Sequence, residues 1–416
     1  VLGMEAMAQA AMALLGTDRI PVFEDVQLVR PVAVPPGRST TIRVAALVRG
    51  PETVELVLRD ASTGFAADHF RAVCRFGTEP DLRPRLSLNN GARLQLEPSD
   101  LYGGLLFHRG RFRRLEGYRH LEATACLAEI GADGSTSWFG RWLPSELVLG
   151  DAGARDAAIH GIQACIPHAT LLPTGVDRIV TGLLAASEPL VLAARERSHN
   201  GDEFVYDLEI LDALGGVRER WEGLRLHAVQ RIDPPEAWRA ALLAPYVERR
   251  LEEILPGRHI HVSISGGGSG SGDLSHRPDG KPDRQISRSH AGDLVLEVAG
   301  DGRIGCDLEP VTGRGEEVWR DLLGDGFALA ELIVRERGES RDAAATRVWT
   351  AIESLKKAGV PHGAPLVLDR AAAAAAADTD GWLLLRSGDL RIGTYLGPVR
   401  ELSGPAALAV LLEAAG

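Results

Sequence analysis

Residues 156–163 read DAAIHGIQ, and this stretch predicts a helix that presents polar side chains on one face. Asp156, His160 and Gln163 are spaced four and then three residues apart, so they lie on neighbouring turns. The other side of the helix is apolar and carries Ile159, Ile162 and Ile166. An apolar side of this kind packs into a core. Asp156 is then either an ordinary first-turn residue that suits the helix dipole or a buried carboxyl group with a chemical role.

The same layout, a helix beside alternating strands, occurs twice in the first half of the chain. Residues 1–16, VLGMEAMAQAAMALLG, have a helical pattern, and residues 39–50 and 52–60 alternate between apolar and polar side chains as antiparallel strands do. The polar, turn-rich stretch 87–100 follows. After it come the helix around residue 156 and further alternating strands within residues 199–229. We therefore predict a tandem duplication of one helix-in-sheet unit.

Composition limits the classes of function. The chain has 416 residues, enough for about three domains, and a net charge of -11 without any basic run, which argues against nucleic acid as a partner. Its four cysteines are far apart and form no CxxC pair, which favours a reducing compartment and disfavours a standard zinc site. We expect a cytoplasmic protein.

The opening helix is neither a signal peptide nor a membrane anchor, because it contains Glu5, has no basic flank and is too short to span a bilayer. We expect no membrane partner. The chain begins at Val1 and enters a helix at once, so we expect it to be the C-terminal piece of a longer protein.

The second half of the chain differs from the first in composition and in its pattern of predicted elements. Residues 263–283 form a Gly/Ser-rich loop, and residues 293–310, DLVLEVAGDGRIGCDLEP, contain an Asp-Gly pair that predicts a hairpin. Asp307 and Glu309 alternate along the second strand of that hairpin, so their carboxylates project to one side. Two like charges held so close repel each other unless a cation lies between them.

The helical stretch 348–359, VWTAIESLKKAG, supplies complementary groups. Glu353 and Lys357 share one face, while Val348, Ile352 and Leu355 fall at core-facing positions. With Asp307 and Glu309, the carboxylate of Glu353 would complete an oxygen-ligand site suited to Mg²⁺ bound to substrate phosphates, with Lys357 beside them. Taken singly, strand acid pairs and Glu-Lys pairs at this spacing are usually solvated surface.

Four motifs in order resemble the Sfp-type 4′-phosphopantetheinyl transferases over residues 240–416: DGKP at 279–282, SRSH at 287–290, GCDLE at 305–309 and W-T-x-x-E-S-x-x-K at 349–357. The resemblance implies an α/β pseudo-dimeric fold and transfer of phosphopantetheine from coenzyme A, the co-substrate, to a serine of an acyl carrier protein.

The resemblance also implies roles for individual residues. Asp307, Glu309 and Glu353 match the Mg²⁺ ligands, Glu353 being also the favoured base, and Lys357 matches a catalytic lysine that contacts the phosphates. The coenzyme A contacts would come from Arg277, Lys281, Ser289 and His290, together with Lys357. One position departs from the pattern, since the family usually has lysine where this chain has Ile352. A phosphate contact would then be missing, which would reduce or narrow the activity.

The first half resembles the double-hotdog dehydratases of polyketide synthases, through VLGMEAMAQ, LLFHRGRFRRL, D-A-x-x-H and RWEGLRLHAV. That resemblance implies elimination of water from a β-hydroxyacyl thioester on an acyl carrier protein. Asp156 matches the catalytic acid and His160 the residue one turn later that holds the acid and the hydroxyl group. As an acid near neutral pH, Asp156 would need burial that raises its pKa.

The family's catalytic histidine is the difficulty, because it lies in an H-x-x-x-G-x-x-x-x-P segment just before the first helix, where this chain begins. His69, His108 and His168 lie in no such motif, and the sequence supports none of them as the base. His168, just after the second helix, is expected to be a loop or channel residue. Without upstream residues, we expect no dehydration.

Together the two resemblances are to the C-terminal part of an iterative, enediyne-type polyketide synthase, with synthases of polyunsaturated fatty acids or glycolipids as the second choice. The expected fold class is α+β, a tandem hotdog followed by the transferase fold. The expected domains are residues 1–90, 91–232 and 233–416. The sequence does not specify the oligomeric state, although dehydratases of this type pair in dimers and a homodimer is allowed.

Three functions stay open at this point. The first is a bifunctional fragment with a complete transferase and a dehydratase that lacks its base. The second is a module that only binds carrier protein, with a degenerate transferase. The third is a hotdog thioesterase fused to an activating enzyme. The set of Asp307, Glu309, Glu353 and Lys357 favours the first function, and Ile352 with the missing histidine favours the second.

Overall fold

The structure, a computed structural model, describes residues 1–77, 81–87, 91–133, 138, 147–185, 187–255, 259–266, 284–370 and 381–413. The chain divides into two units, Val1–Ile232 and Asp233–Gly416. Of the described helices, none is both long enough and apolar enough to span a membrane. All four cysteines are buried and free.

The first unit is built on one antiparallel sheet of ten strands. Its first part comprises helix α1 (Leu2–Leu15) and strands β1 (Val22–Leu28), β2 (Ile42–Gly50), β3 (Thr53–Asp60) and β4 (Phe70–Arg75). Its second part comprises α2 (Pro98–Leu101), β5 (Leu115–Leu121), β6 (Ala125–Ile130), α3 (Ala152–His160), β7 (Ala169–Val180), β8 (Leu190–Asn200), β9 (Glu203–Leu211) and β10 (Val217–Arg231).

The two parts join edge to edge. The strand order is β2-β3-β4-β1-β7-β10-β9-β8-β6-β5, and the junction is the antiparallel pair of β1 and β7, with Val26 opposite Val176. Each part therefore contributes its own strands and one long helix to a continuous sheet. The predicted α+β class is confirmed for this unit, and the duplicated layout is visible in the order of its elements.

Helix α1 packs against its part of the sheet through small and flexible side chains. Met7, Ala8 and Ala11 are buried, and a Cβ atom at Gly3 would lie 2.8 Å from the ring of Phe70. Only a glycine allows that close approach, because any side chain would have to displace the ring. The helix ends at Gly16, which adopts the left-handed conformation with a φ of 65°.

Helix α3 is almost wholly enclosed, and four of its nine residues are alanines, whose small side chains allow close packing. Its first turn is capped by Asp151, whose carboxylate accepts a hydrogen bond of 2.9 Å from the backbone N–H of Gly153. Arg155 on the same helix is buried and forms a two-point ion pair with Glu219 of β10, at 2.9 and 2.8 Å. A buried pair with this geometry fixes the rotation of α3 against the sheet.

The predicted helix over residues 156–166 is only partly correct. The α-helical turns end at His160, and Gly161–Cys165 continue as a 3₁₀ helix. Gln163 is buried in that segment and hydrogen-bonds backbone groups of Ile166, Ala169 and Leu171. It therefore holds the connection to β7 and does not share the polar face of Asp156 and His160.

The second unit contains two antiparallel sheets, β11-β13-β12 and β14-β18-β17-β16-β15. Its helices are α4 (Ala240–Ile254), α5 (Glu316–Leu323), α6 (Phe327–Arg337) and α7 (Arg341–Lys357). Its strands are β11 (Ile260–Gly266), β12 (Gln285–Ala291), β13 (Leu294–Gly300), β14 (Ile304–Pro310), β15 (Val367–Leu368), β16 (Trp382–Ser387), β17 (Leu390–Val399) and β18 (Gly404–Glu413).

The predicted hairpin over residues 293–310 is wrong. β13 pairs with β11 and β12, whereas β14 pairs with β18, so the turn at Asp301 and Gly302 connects two sheets. Leu308 of β14 lies opposite Leu408 of β18. β14 therefore pairs with an apolar strand more than ninety residues away and not with its neighbour across the Asp-Gly turn. By contrast, the core-facing positions predicted for α7 are confirmed: Val348 and Leu355 are buried, and Ile352 packs against the same cluster.

Candidate functional site

The first candidate site lies on α3, where Asp156 and His160 meet. His160 Nδ1 lies 3.2 Å from Asp156 Oδ2, and the imidazole ring is buried. An ionised carboxylate only accepts hydrogen bonds, so the Nδ1–H group of His160 is the donor. The spacing of one helical turn brings these two side chains together, as the sequence pattern predicts.

His108 also lies at this site, although its sequence context did not support it as a catalytic residue. Its Nε2 atom lies 3.5 Å from Asp156 Oδ2, and its ring stacks on that of His160 with a centroid distance of 3.8 Å. Phe107 stacks on the other side at 4.4 Å. The only sequence signal was the position of His108 within LLFHRGRFRRL, because nothing in its spacing relates it to a helix 48 residues further on.

Tyr102 contacts the ring nitrogen of His160 that does not face Asp156. Its hydroxyl oxygen lies 3.3 Å from His160 Nε2 and accepts a 2.9 Å hydrogen bond from the backbone N–H of Leu115. When Nδ1 of His160 carries the proton, Nε2 accepts the O–H of Tyr102. A chain of hydrogen bonds then runs from β5 through Tyr102 and His160 to Asp156, and it fixes the orientation of the imidazole ring.

The electrostatics of the site differ from the expectation. Burial favours the neutral form of Asp156, but the hydrogen bond from His160 and electrostatic interactions with His160, His108 and the N-terminal amine outweigh it and lower the carboxyl pKa below its ordinary 3.8. The prediction of a raised pKa is therefore wrong for the free protein, because it considered burial without these partners.

His108 itself is held neutral. Burial, followed by repulsion from His160, lowers its pKa from 6.5 to about 4, although Asp156 acts in the opposite direction. At neutral pH the site thus contains a carboxylate and an uncharged His108 ring. An imidazole with so low a pKa is a weak base.

The start of α1 lies near this site. The amine of Val1 is buried, which lowers its pKa, and the charge of Asp156 partly offsets that effect. The two interact closely enough for the amine to help lower the pKa of Asp156 in turn.

The other two histidines considered lie elsewhere in the first unit. His69 is buried against Asp60, with Nε2 at 3.1 Å from a carboxylate oxygen, and its Nδ1 lies 3.0 Å from the backbone oxygen of Pro31. His168 is buried just after the 3₁₀ segment, where its backbone oxygen accepts a hydrogen bond from Ile232. Neither is a member of the cluster formed by His108, Asp156 and His160.

The second candidate site lies in the second unit, on β14. Asp307 is buried, and its Oδ1 accepts hydrogen bonds of 2.7 Å from Lys357 Nζ and 2.7 Å from Ser289 Oγ. The same serine hydroxyl accepts the backbone N–H of Leu308 at 3.2 Å, while Lys357 also donates to the backbone oxygen of Cys306. Residues from β12, β14 and α7 therefore converge on Asp307.

The three acids proposed for Mg²⁺ are less closely assembled. Within the described part of the chain, Asp307, Glu309 and Glu353 do not form a group with all ligand atoms within 4.8 Å of one another. Two of these carboxylates are paired with lysines instead. Lys357 donates to Asp307, and Lys356 Nζ donates to Glu353 Oε1 at 2.6 Å.

The donor set nevertheless suits a hard cation. Asp307 Oδ2 is buried and, among the described residues, has no hydrogen-bond partner. Burial and then the charge of Asp307 raise the pKa of Glu309, against the opposing effects of Arg314, Trp349 and Lys357. An unpaired carboxylate oxygen beside a destabilised second carboxylate is an arrangement that a cation with oxygen ligands would relieve.

The remaining coenzyme A residues divide into two groups. Ser289 is buried and points toward Asp307, whereas His290, the next residue on β12, is exposed on the other face. Arg277 and Lys281 lie outside the described residues.

Comparisons with known proteins concern the first unit. Residues 82–236 match the family model described as "Polyketide synthase dehydratase N-terminal domain". No curated protein matches the chain. Among solved structures, the dehydratase domain of a mycocerosic acid synthase-like polyketide synthase has a TM-score of 0.44 and 20% identity, covering 54% of this chain and 79% of that one.

Two further structures are similar at the same level. The dehydratase domain of RzxB from Pseudomonas fluorescens has a TM-score of 0.43 and 18% identity, over 54% of this chain and 83% of that one. The dehydratase domain from the CurF module of the curacin polyketide synthase has a TM-score of 0.43 and 17% identity, over 54% and 82%. Likeness at this level carries no information on substrate. The residues that match the family model, 82–236, contain His108, Asp156 and His160.

Proposed function

We propose that the first unit eliminates water from a β-hydroxyacyl thioester carried by an acyl carrier protein. The observation that carries the proposal is the pair of Asp156 and His160 on the enclosed helix α3, within the residues that match the dehydratase family. A carboxyl group and an imidazole in one buried place are what acid-base catalysis at a thioester requires.

The proposed elimination breaks a C–H bond and a C–O bond and forms a C=C bond. A base removes the proton from the carbon next to the thioester carbonyl, the electrons of that C–H bond form the C=C bond, and the C–O bond to the β-hydroxyl breaks. The departing oxygen takes a proton from Asp156 and leaves as water. Asp156 must be protonated at that moment, and an acyl chain that excludes water from the site would raise its pKa from the lowered value of the free protein.

His108 is a poor candidate for the base, since its pKa of about 4 makes it weakly basic. The base is instead expected ahead of α1, as the family resemblance implies, and the closeness of the Val1 amine to Asp156 supports that placement. His108 and Tyr102 then orient His160 and Asp156.

The test uses a chain extended upstream of Val1, with a β-hydroxyacyl carrier as substrate and mass spectrometry as the readout. Asp156→Asn should abolish the loss of water, while Asp177→Asn, at an exposed position on β7, should leave it intact. Undiminished water loss by Asp156→Asn would contradict the assignment of the acid. Release of free acid would instead indicate a thioesterase.

We propose as a second function that the second unit transfers 4′-phosphopantetheine from coenzyme A to a serine of a carrier protein. The contact of Lys357 and Ser289 with Asp307 supports it, because three separate motifs of the transferase pattern meet there. A Mg²⁺ ion held by Asp307, Glu309 and Glu353 would neutralise charge on the pyrophosphate.

In that transfer the serine oxygen of the carrier protein bonds to the β-phosphorus of coenzyme A, and the bond from that phosphorus to the oxygen bridging the two phosphates breaks. The serine proton passes to Glu353, and 3′,5′-adenosine bisphosphate leaves. Lys357 would donate to a phosphate oxygen. Glu353 can act as the base only after its ion pair with Lys356 breaks. Both side chains are partly exposed, so water can replace the contact between them.

A mass-shift assay with coenzyme A, Mg²⁺ and apo-carrier protein tests this function. We expect addition of about one phosphopantetheine per carrier, loss of that addition in Asp307→Asn, and no loss in Asp321→Asn, an exposed position on α5. If the wild-type chain adds nothing, the unit is a degenerate transferase and the first unit remains a carrier-binding dehydratase. The pairing of both functions in one chain would support a synthase of the enediyne kind over one for polyunsaturated fatty acids.

A further inference from the structure

The cluster of His108, Asp156 and His160 contains more ligating atoms than the elimination of water uses. Each residue offers one ligand atom, and these three atoms all lie within 4.8 Å of one another. In the described part of the chain this is the only such group of histidine, cysteine and acidic side chains. In the proposed elimination His108 only helps to orient His160 and Asp156, so no step of the reaction uses its ring nitrogens.

The distances suit one metal ion. A tetrahedral ion with bonds of about 2.0 Å separates its ligand atoms by about 3.3 Å. Asp156 Oδ2 lies 3.2 Å from His160 Nδ1 and 3.5 Å from His108 Nε2. Both ring nitrogens therefore already lie near the ligand-to-ligand spacing, with the carboxylate oxygen common to both.

The surroundings of the two rings support ligation. Tyr102 can accept the Nε2–H of His160 at 3.3 Å, which leaves the lone pair of Nδ1 free to face an ion, and such outer hydrogen bonds orient metal-bound histidines. When His108 binds an ion through Nε2, its proton would lie on Nδ1, which is buried and, within the described residues, has no hydrogen-bond partner.

We propose that His108, Asp156 and His160 form a binding site for one divalent first-row transition metal ion, with zinc as the expected occupant. Two imidazoles and one carboxylate favour such an ion over Mg²⁺, which prefers oxygen ligands. On binding, the proton of His160 moves from Nδ1 to Nε2, where the oxygen of Tyr102 accepts it. Three protein ligands leave a fourth position open. An ion held there occupies Asp156, so it competes with protonation of that carboxylate.

The site rests on the geometry of three side chains and not on the proposed dehydration, so metal binding is measured without acyl substrate. The chain is stripped with a chelator and titrated with Co²⁺, whose tetrahedral complexes absorb strongly in the visible range. We expect about one ion per chain, displacement by Zn²⁺, and no effect of Mg²⁺.

Two variants report on the ligands and one serves as the control. His108→Phe keeps an aromatic ring between Phe107 and His160, and Asp156→Asn keeps the shape of the acid; each should lower the affinity at least tenfold. His199→Phe, on the exposed end of β8, should bind as the wild type does. Absence of tetrahedral Co²⁺ absorption in the wild-type chain, or absorption that survives Asp156→Asn, would overturn the proposal.

Discussion

His160 Nδ1 donates to Asp156 Oδ2 across 3.2 Å, one helical turn apart on α3, and Tyr102 holds the other nitrogen of the same ring. This arrangement keeps Asp156 ionised in the free protein, despite its burial. The carboxylate therefore depends on its partners for its charge, and changes in those partners should change its pKa.

His160→Phe tests that dependence. Removal of the hydrogen bond and of the imidazole leaves burial as the main influence, so the pKa of Asp156 should rise above its ordinary 3.8. Carboxyl carbon shifts in an NMR titration measure it directly. A lowered folded-state pKa stabilises the fold above the unfolded pKa, and that stabilisation is lost as the pH falls. The variant should therefore lose stability mainly above pH 4. An unchanged pKa would show that other charges dominate.

His108 gives a pH dependence of the same sign, but at higher pH. Its folded pKa of about 4 lies below the unfolded 6.5, so between these values the unfolded chain binds more protons and stability falls as the pH falls. We expect this group to contribute a loss of about 1–2 kcal/mol between pH 7 and pH 4, after allowance for partial exposure. Urea unfolding at both pH values should show a smaller loss for His108→Phe than for wild type. His199→Phe is the control, and equal losses in all three proteins would contradict the prediction.

The ion pair of Arg155 and Glu219 should be a main determinant of the position of α3. Glu219 also accepts a 2.6 Å hydrogen bond from the indole N–H of Trp221, so its loss leaves Arg155 buried with an incomplete set of partners. We expect Glu219→Gln to lower the free energy of unfolding by about 3–5 kcal/mol, measured by urea denaturation. Glu55→Gln, which breaks the exposed pair with Arg49, should have no resolvable effect. Similar effects of the two substitutions would argue against a structural role for the buried pair.

Ile352→Lys restores the lysine of the transferase pattern. The substitution removes an apolar side chain that packs partly against the core, so we expect a stability cost of about 1 kcal/mol. The new ammonium group should strengthen binding of the phosphates, with a KM for coenzyme A at least threefold lower. Steady-state kinetics with apo-carrier protein measure this, and Ile352→Met serves as a neutral control. An equal decrease of the KM for coenzyme A in both variants would show that packing, and not the added charge, causes the effect.

The sequence predicted local pairings better than distant ones. The spacing of Asp156 and His160 required only one helical turn, and the transferase pattern placed Lys357 beside the site that contains Asp307, although it did not predict the contact of Ser289 with Asp307. In contrast, nothing local relates His108 to Asp156 or Arg155 to Glu219, because those contacts depend on how loops and strands pack. The hairpin expected at Asp301 and Gly302 failed for the same reason: β14 finds its partner in β18, and a turn signal carries no information about that distant strand.

The central claim is that Asp156 exchanges the proton of the β-hydroxyl group. The most direct test is the reverse reaction, in which water adds to the C=C bond of an unsaturated acyl chain. A chain extended upstream of Val1 is incubated in heavy-oxygen water with an α,β-unsaturated acyl carrier, and mass spectrometry follows the label. We predict that the wild type and Asp177→Asn add labelled hydroxyl to the acyl chain and that Asp156→Asn adds none. Incorporation by Asp156→Asn at the wild-type rate would contradict the account.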